Sequence, residues 1–257
     1  MVNIPEAVAI IQKDGTTAVF EIGPLQSGYG ATIANPLRRV LLSSLEGTAI
    51  TSLKIKGVDH EFSSIDGVME DVIEIILNLK KIRFRGFSDE PVTLTLSKKG
   101  SGAVTAGDIK LTSDVELVNP DQHIATLSDK AASLEMEITV EKGRGYVSTE
   151  QRQKEKLPIG VIAVDAVFSP VRKVNFTVED TRVEDRIDFN KVVLEIETDG
   201  SVEPEAALKE AATILAKHFT MVSEVTVPEP KATKKTAPKK TSTKKTKKTE
   251  ENEEDKS

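Results

Sequence analysis

Histidine, the side chain most used for metal binding and proton transfer, occurs three times, at His60, His123 and His218. The three are scattered, with no His-x-His or His-x-x-x-His spacing to bring two imidazoles to one face. Zinc or iron ligation is therefore not expected, and each reads as a turn or surface histidine. Cysteine is absent, which excludes disulfides, thiolate metal sites and thiol nucleophiles. Gly143-Arg144-Gly145 looks like a phosphate-cradling loop, but it lacks the Lys-Ser/Thr ending and follows a strand with no helix after it. A hairpin turn is expected there. The acidic pairs Glu179-Asp180 and Glu184-Asp185 lack the Asp-x-Asp-x-Asp spacing that holds magnesium, and they fall on the wet face of alternating segments. No nucleophile stands with a base, so a hydrolase reading ranks last.

What remains is contact chemistry. From Lys231 to Thr249 there are nine lysines and no acid, followed by Glu250, Glu251, Glu253, Glu254 and Asp255. Such a segment has nothing to bury and is expected to be disordered. Lys234, Lys235, Lys239, Lys240, Lys244 and Lys245 could make sequence-independent, salt-dependent contacts to DNA phosphates. The alternative is a solvated tail shielded by its own acidic block. Setting aside that tail's ten lysines and five acids leaves 25 basic against 36 acidic residues, a body that does not read as a generic nucleic-acid binder.

A more specific contact signal lies in a helix expected from about Ile33 to Leu45, with Thr32 or Asn35 as cap and Pro36 in the first turn. At 100° per residue from Leu37, residues Ile33, Leu37, Val40, Leu41 and Leu45 share one stripe, a core face. Leu42 falls near 140° on the same wheel, between Arg38 and Arg39. A large apolar residue between two guanidinium groups fits a protein interface, although a lone surface leucine between solvated arginines reads equally well.

Period-two alternation marks half-buried strands around Ala18–Ile22, Leu53–Ile55, Val92–Leu96, Leu134–Val140, Val174–Val178 and Leu194–Ile196. A second helix is expected from about Asp66 to Leu79, with Val68, Val72, Ile75, Ile76 and Leu79 at helical spacing. A third is expected from Glu203 to Val222, with Pro204 near its start and small alanines that permit close helix approach. Helices and strands alternate without a βαβ rhythm, so the fold class is α+β, with helices on antiparallel sheet. The 257 residues, 38% of them apolar, suffice for a packed core. No signal-like start and no membrane-length apolar run is visible, so a cytoplasmic chain with no membrane partner is expected.

At this point the residues carry a family resemblance. The run from Leu25 to Gly47, with Gly28-Tyr29-Gly30, Asn35-Pro36-Leu37-Arg38-Arg39 and Leu41-Leu42-Ser43-Ser44, resembles the first-helix signature of bacterial RNA polymerase alpha subunits. Gly57–Phe62, Asp66–Val72, Leu77–Lys80, Lys142–Val147 and Ala211–Ala216 resemble that family's later blocks, in family order.

The resemblance implies a discontinuous dimerisation domain, residues 1–46 and 174–227, with an α+β domain of residues 47–173 inserted and a tail of residues 228–257. It implies a homodimer on which the beta and beta prime subunits assemble, with omega and sigma joining the holoenzyme and DNA met indirectly. Arg39 and Leu42 match docking positions for the beta subunit, with Arg38 beside them. Glu74 and Lys80 match large-subunit contacts on the insert. Leu37, Leu41, Leu208, Ala212, Leu215 and Phe219 would lie at the dimer interface. No catalytic residue and no cofactor is implied in this chain, since magnesium and zinc belong to the large subunits. Family members usually continue into a small helical DNA-binding domain; about thirty polar residues follow Val227 here, so that module is expected to be lacking. Pro36 replaces the small residue usual in the family. A free-standing homodimeric nucleic-acid binder is the rival reading.

Overall fold

A computed structural model describes residues 7–152, 158, 160–183 and 186–225. The outermost alternating segments pair with one another. Strands β1 (Ala7–Asp14) and β2 (Thr17–Leu25) form a hairpin and are followed by helix α1 (Tyr29–Ser43). The chain leaves through β3 (Glu46–Ile55) and returns far downstream as β14 (Val171–Val183), β15 (Arg186–Thr198) and helix α4 (Pro204–Ser223). The sheet is antiparallel in the order β1-β2-β15-β14, so residues near 20 and near 194 become neighbours, with Phe20 opposite Leu194. Alternation sends Ala18, Phe20 and Ile22 of β2 and Val192, Leu194 and Ile196 of β15 to one face. There they meet Ala34, Leu37 and Leu41 of α1 and Ala207, Leu208 and Ala211 of α4 in one buried cluster.

Between β3 and β14 lies a second unit with its own core. Helix α2 (Val72–Leu79) is followed by β4 (Phe84–Gly86), β5 (Val92–Lys99), β6 (Gly102–Thr105), β7 (Ile109–Lys110), β8 (Val115–Leu117), β9 (His123–Leu127), β10 (Ser133–Arg144) and β11 (Tyr146–Val147). A single helical turn, α3 (Thr149–Arg152), then precedes the short strands β12 (Ile162–Ala163) and β13 (Ala166–Val167). The large sheet runs β7-β5-β10-β3-β4-β8, with β12 also on β3; β6 pairs β9 and β11 pairs β13. Leu53, Leu94, Leu96, Leu134 and Ile138 pack against Val72, Ile75 and Leu79 of α2 in this second cluster.

Three local expectations are corrected. Helix α1 begins at Tyr29, four residues early, because Gly28 takes a left-handed φ of 84° and donates its N–H to Asn190 Oδ1 on β15. Thr32 and Asn35 are not caps; their side chains donate back to the Gly28 and Ala31 carbonyls inside the helix. Pro36 therefore sits in the helix interior, where it can offer no N–H to the carbonyl of Thr32.

Helix α2 starts at Val72, not Asp66. Long-range pairing overrides the helical spacing: Val68 bridges Leu127, and the Met69 N–H donates to the Thr126 carbonyl at 3.0 Å. The Glu70 carboxylate accepts the Thr126 N–H at 2.6 Å and its hydroxyl at 3.0 Å.

Gly143-Arg144-Gly145 is not a hairpin turn. Gly143 and Arg144 finish β10 against Gly47 and Glu46 of β3, and the chain then bends into β11, which pairs with β13 instead. The Phe168 N–H donates to the Gly145 carbonyl at 2.8 Å, and a Cβ at Gly143 would meet the Phe168 ring.

Candidate docking surfaces

Helix α1 lies against both β14 and α4, so its covered arc is broader than a single stripe. Leu42, expected to stand off the core, is half-buried and packs against it; its carbonyl accepts the Ser169 hydroxyl at 3.2 Å. Arg38 is held across the sheet, its Nε donating to the Val174 carbonyl at 3.2 Å, while Arg39 is exposed one position on. The three residues thus come together as one cationic edge with an apolar residue partly sunk into it.

The six residues expected at a dimer interface divide. Leu37, Leu41 and Leu208 belong to the chain's own core, Leu41 being fully buried, and they leave little side chain for a second copy to cover. Leu215 is half-buried, Ala212 is exposed and Phe219 is 63% exposed. From Ala216 to Val225 every residue of α4 and its end is exposed, Met221, Val222 and Val225 among them, so this part of the helix projects past the body. Val8, Ile10 and Ile11 are exposed on edge strand β1, which bulges between Ile10 and Gln12. Lys13 ties that strand to the start of α4, with Nζ 2.8 Å from Glu205 and 3.0 Å from Glu203; hydrogen bonding to those carboxylates, Glu205 first, raises its ammonium pKa.

On the insert, Val72, Ile75 and Leu79 face inward, leaving Ile73, Glu74 and Leu77 outward on α2. Leu77 is 51% exposed and neighbouring Phe62 is 77% exposed. Together with Lys80, Thr149 and Asp165 they line an open groove of ≈ 360 Å³. Lys80 Nζ sits 3.0 Å from Asp165 Oδ2, and Asp165 Oδ1 accepts the Thr149 N–H at 2.9 Å. That N–H, and then Lys80, hold the Asp165 carboxyl below its ordinary value. Sequence reasoning named Glu74 and Lys80 but missed Phe62, Ile73 and Leu77. Ile73 and Leu77, four apart and off the core stripe, were the available signal.

The histidines stay apart. His60 Nδ1 meets the Ser63 hydroxyl at 3.1 Å, His123 Nε2 meets Glu70 Oε1 at 2.9 Å, and His218 is exposed on α4. Glu179 pairs with Lys191 at 3.2 Å, and Asp180 accepts from Asn190. Glu184, Asp185 and the lysines from Lys234 to Lys245 lie outside the described residues. Among the described residues no group of three His, Asp or Glu is placed to hold a metal ion, and no helix is long and apolar enough to cross a membrane. The surfaces described combine exposed apolar side chains with directed charge.

Known proteins are similar to this chain. A family model described as the RNA polymerase Rpb3/RpoA insert domain matches residues 53–169. A protein of Symbiobacterium thermophilum named DNA-directed RNA polymerase subunit alpha is 51% identical over 217 residues, covering 84% of this chain and 69% of that relative. Proteins of the same name from Desulfitobacterium hafniense and Moorella thermoacetica are 51% and 53% identical, over 81% and 79% of this chain. The match spans 66% and 64% of those two relatives' lengths.

Proposed function

The chain belongs to the family of bacterial DNA-directed RNA polymerase alpha subunits, and from that premise we propose that it acts as a homodimeric assembly platform for the beta and beta prime subunits. The observation that carries this reading is the projecting end of α4, where Phe219, Met221, Val222 and Val225 stand exposed beyond the body. Apolar groups of that size are each worth roughly 1.5 to 3 kcal/mol when fully covered, so a second copy laid along α4 and the exposed residues of β1 gains affinity from them. Of the six residues first expected there, Ala212, Leu215 and Phe219 make this contact, while Leu37, Leu41 and Leu208 support it from within.

Docking of the large subunits falls to two other surfaces. Arg38, Arg39 and Leu42 on α1 receive one large subunit, with arginine forks fixing register. Glu74 and Lys80 contribute charge on the insert, flanked by the apolar Phe62, Ile73 and Leu77. The chain itself supplies no reacting group and no cofactor; magnesium and zinc, and contacts to omega and sigma, are matters for the assembled cytoplasmic enzyme. The lysine-rich segment adds a sequence-independent DNA contact, tested by deleting residues 231–257 and comparing the salt slope of the polymerase's non-specific DNA binding; an unchanged slope removes that contact.

The platform reading is tested with Arg39→Ala. The homodimer should persist by size-exclusion chromatography with light scattering, while capture of purified beta subunit weakens. A monomeric variant would overturn the assignment of α1's outer edge to docking.

A further inference from the structure

Both sets of proposed docking residues lie on different units, and one turn connects the frames that carry them. Asp199, Gly200 and Ser201 run from the end of β15 into α4. Two arginines of the insert grip this turn. Arg83 Nε lies 3.3 Å from Asp199 Oδ2, an ion pair rather than an aimed hydrogen bond, with the two side chains only 22% and 6% exposed. Arg85 donates from Nε to the Ser201 carbonyl at 2.8 Å.

The turn is also braced from its own side. Asp199 Oδ1 accepts the Ser201 N–H at 3.0 Å, and the Asp199 N–H donates to the Pro170 carbonyl at 2.9 Å. Gly200, at φ 91°, presses so close to the insert that an added Cβ would meet Val118 Cγ1 at 3.1 Å. Burial lowers the Arg83 guanidinium from its ordinary value and the Asp199 charge opposes that effect. Removing the Asp199 carboxylate therefore leaves a half-sequestered cation without its counter-charge, and the contact has reason to open.

We propose that the Asp199–Ser201 turn, gripped by Arg83 and Arg85, is the joint that fixes the insert at one angle to the sheet-and-helix unit, so that a large subunit meets Arg39 and Lys80 at a single spacing. Arg83 follows directly on the turn that ends α2 and carries Lys80. Asp199 hangs from Pro170, next to the strand whose Val174 carbonyl holds Arg38. The joint thus lies on the short path between the two docking surfaces. Asp199, Arg83 and Arg85 are positioning residues, and their docking role rests on the platform reading.

The chain has no native cysteine, so Glu137→Cys on β10 and Thr177→Cys on β14, both exposed, accept spin labels without background. In full-length chain diluted with unlabelled copies, double electron–electron resonance should give one narrow distance between them. Asp199→Ala should broaden it and weaken binding of purified beta subunit about tenfold, as when a tenth of molecules keep the competent angle. Asp199→Asn, which retains an Oδ1 acceptor for the turn, should broaden it less; unchanged far-ultraviolet circular dichroism checks that both variants fold. A distance that stays narrow in Asp199→Ala overturns the joint. Broadening with unaltered beta binding overturns its role in docking. Should the unsubstituted chain fail to bind beta, the platform reading falls and the docking half of the proposal with it, while the distance still decides whether the turn holds the angle.

Discussion

The side-chain Oδ1 of Asn190 accepts the backbone N–H of Gly28 at 2.7 Å, across 162 positions of sequence. The same amide donates from Nδ2 to Asp180 Oδ1 at 3.0 Å. One buried side chain therefore starts helix α1 and joins it to the β14–β15 pair. Gly30, the second residue of the helix, has Val178 Cγ1 only 2.6 Å from where a Cβ would stand, so the helix start rests directly on the sheet. These contacts give the Gly28-Tyr29-Gly30 run its physical meaning: the first glycine reverses the backbone, and the second lets it approach.

Asn190→Ala should destabilise the fold by about 1 kcal/mol, because it removes the hydrogen bonds that the buried amide makes to the Gly28 N–H and to Asp180. Urea unfolding measures this. A loss below about 0.5 kcal/mol would mean water replaces the amide at no cost.

Pro36→Ala should stabilise the protein by about 1 kcal/mol or more, since it restores an N–H that the Thr32 carbonyl can accept and removes a poor helix former from the interior of α1. The thermal midpoint should rise. A fall would show that the surrounding packing has adapted to the ring.

Phe219→Asp should leave the folded core intact, as the ring is not part of it, yet weaken self-association at least about tenfold through lost apolar cover and an added charge. Light scattering across a dilution series reads the change. An unshifted dissociation curve would place the contact between copies elsewhere.

Glu70 sets an acid limb. Burial pushes its carboxyl up, but hydrogen bonds from His123 and Thr126 outweigh that and leave it below its ordinary value. A depressed folded pKa contributes stability that is present above the unfolded value of about 4.3 and is lost as pH falls through the folded value. Stability measured by urea from about pH 5 to about pH 3 should fall less steeply in Glu70→Gln than in the unsubstituted chain. Parallel curves would mean the carboxylate is not linked to folding.

Legibility in the sequence followed the range of the interactions. Strands such as Leu134–Val140 were readable because alternation is local and their cores take one face. Helix α4 was readable to within a residue, from Pro204 and a long stripe. Asp66–Met69 misled because the Val68 bridge to Leu127 is a contact across the fold that no periodicity encodes. The start of α1 misled for a like reason, Gly28 being held in place by Asn190 from far along the chain. On α1 the wheel grouped Arg38, Arg39 and Leu42, but a wheel cannot know that two neighbours flank the helix, so it left Leu42 more exposed than it is. Phe62 escaped because its neighbours in the groove lie on other segments, Ile73 and Leu77 on α2 and Asp165 just before β13.

The core of the outer unit is stitched from residues 18–45 and 171–211, while that of the insert is complete within residues 50–164. A chain emerging from the ribosome can thus finish its middle before its beginning: α1 and the first hairpin must wait, half-clothed, until β14, β15 and α4 have been made. Helix α4 is made after everything else in both cores, so the outer unit closes only once the insert is already in place to receive the turn that leads into it.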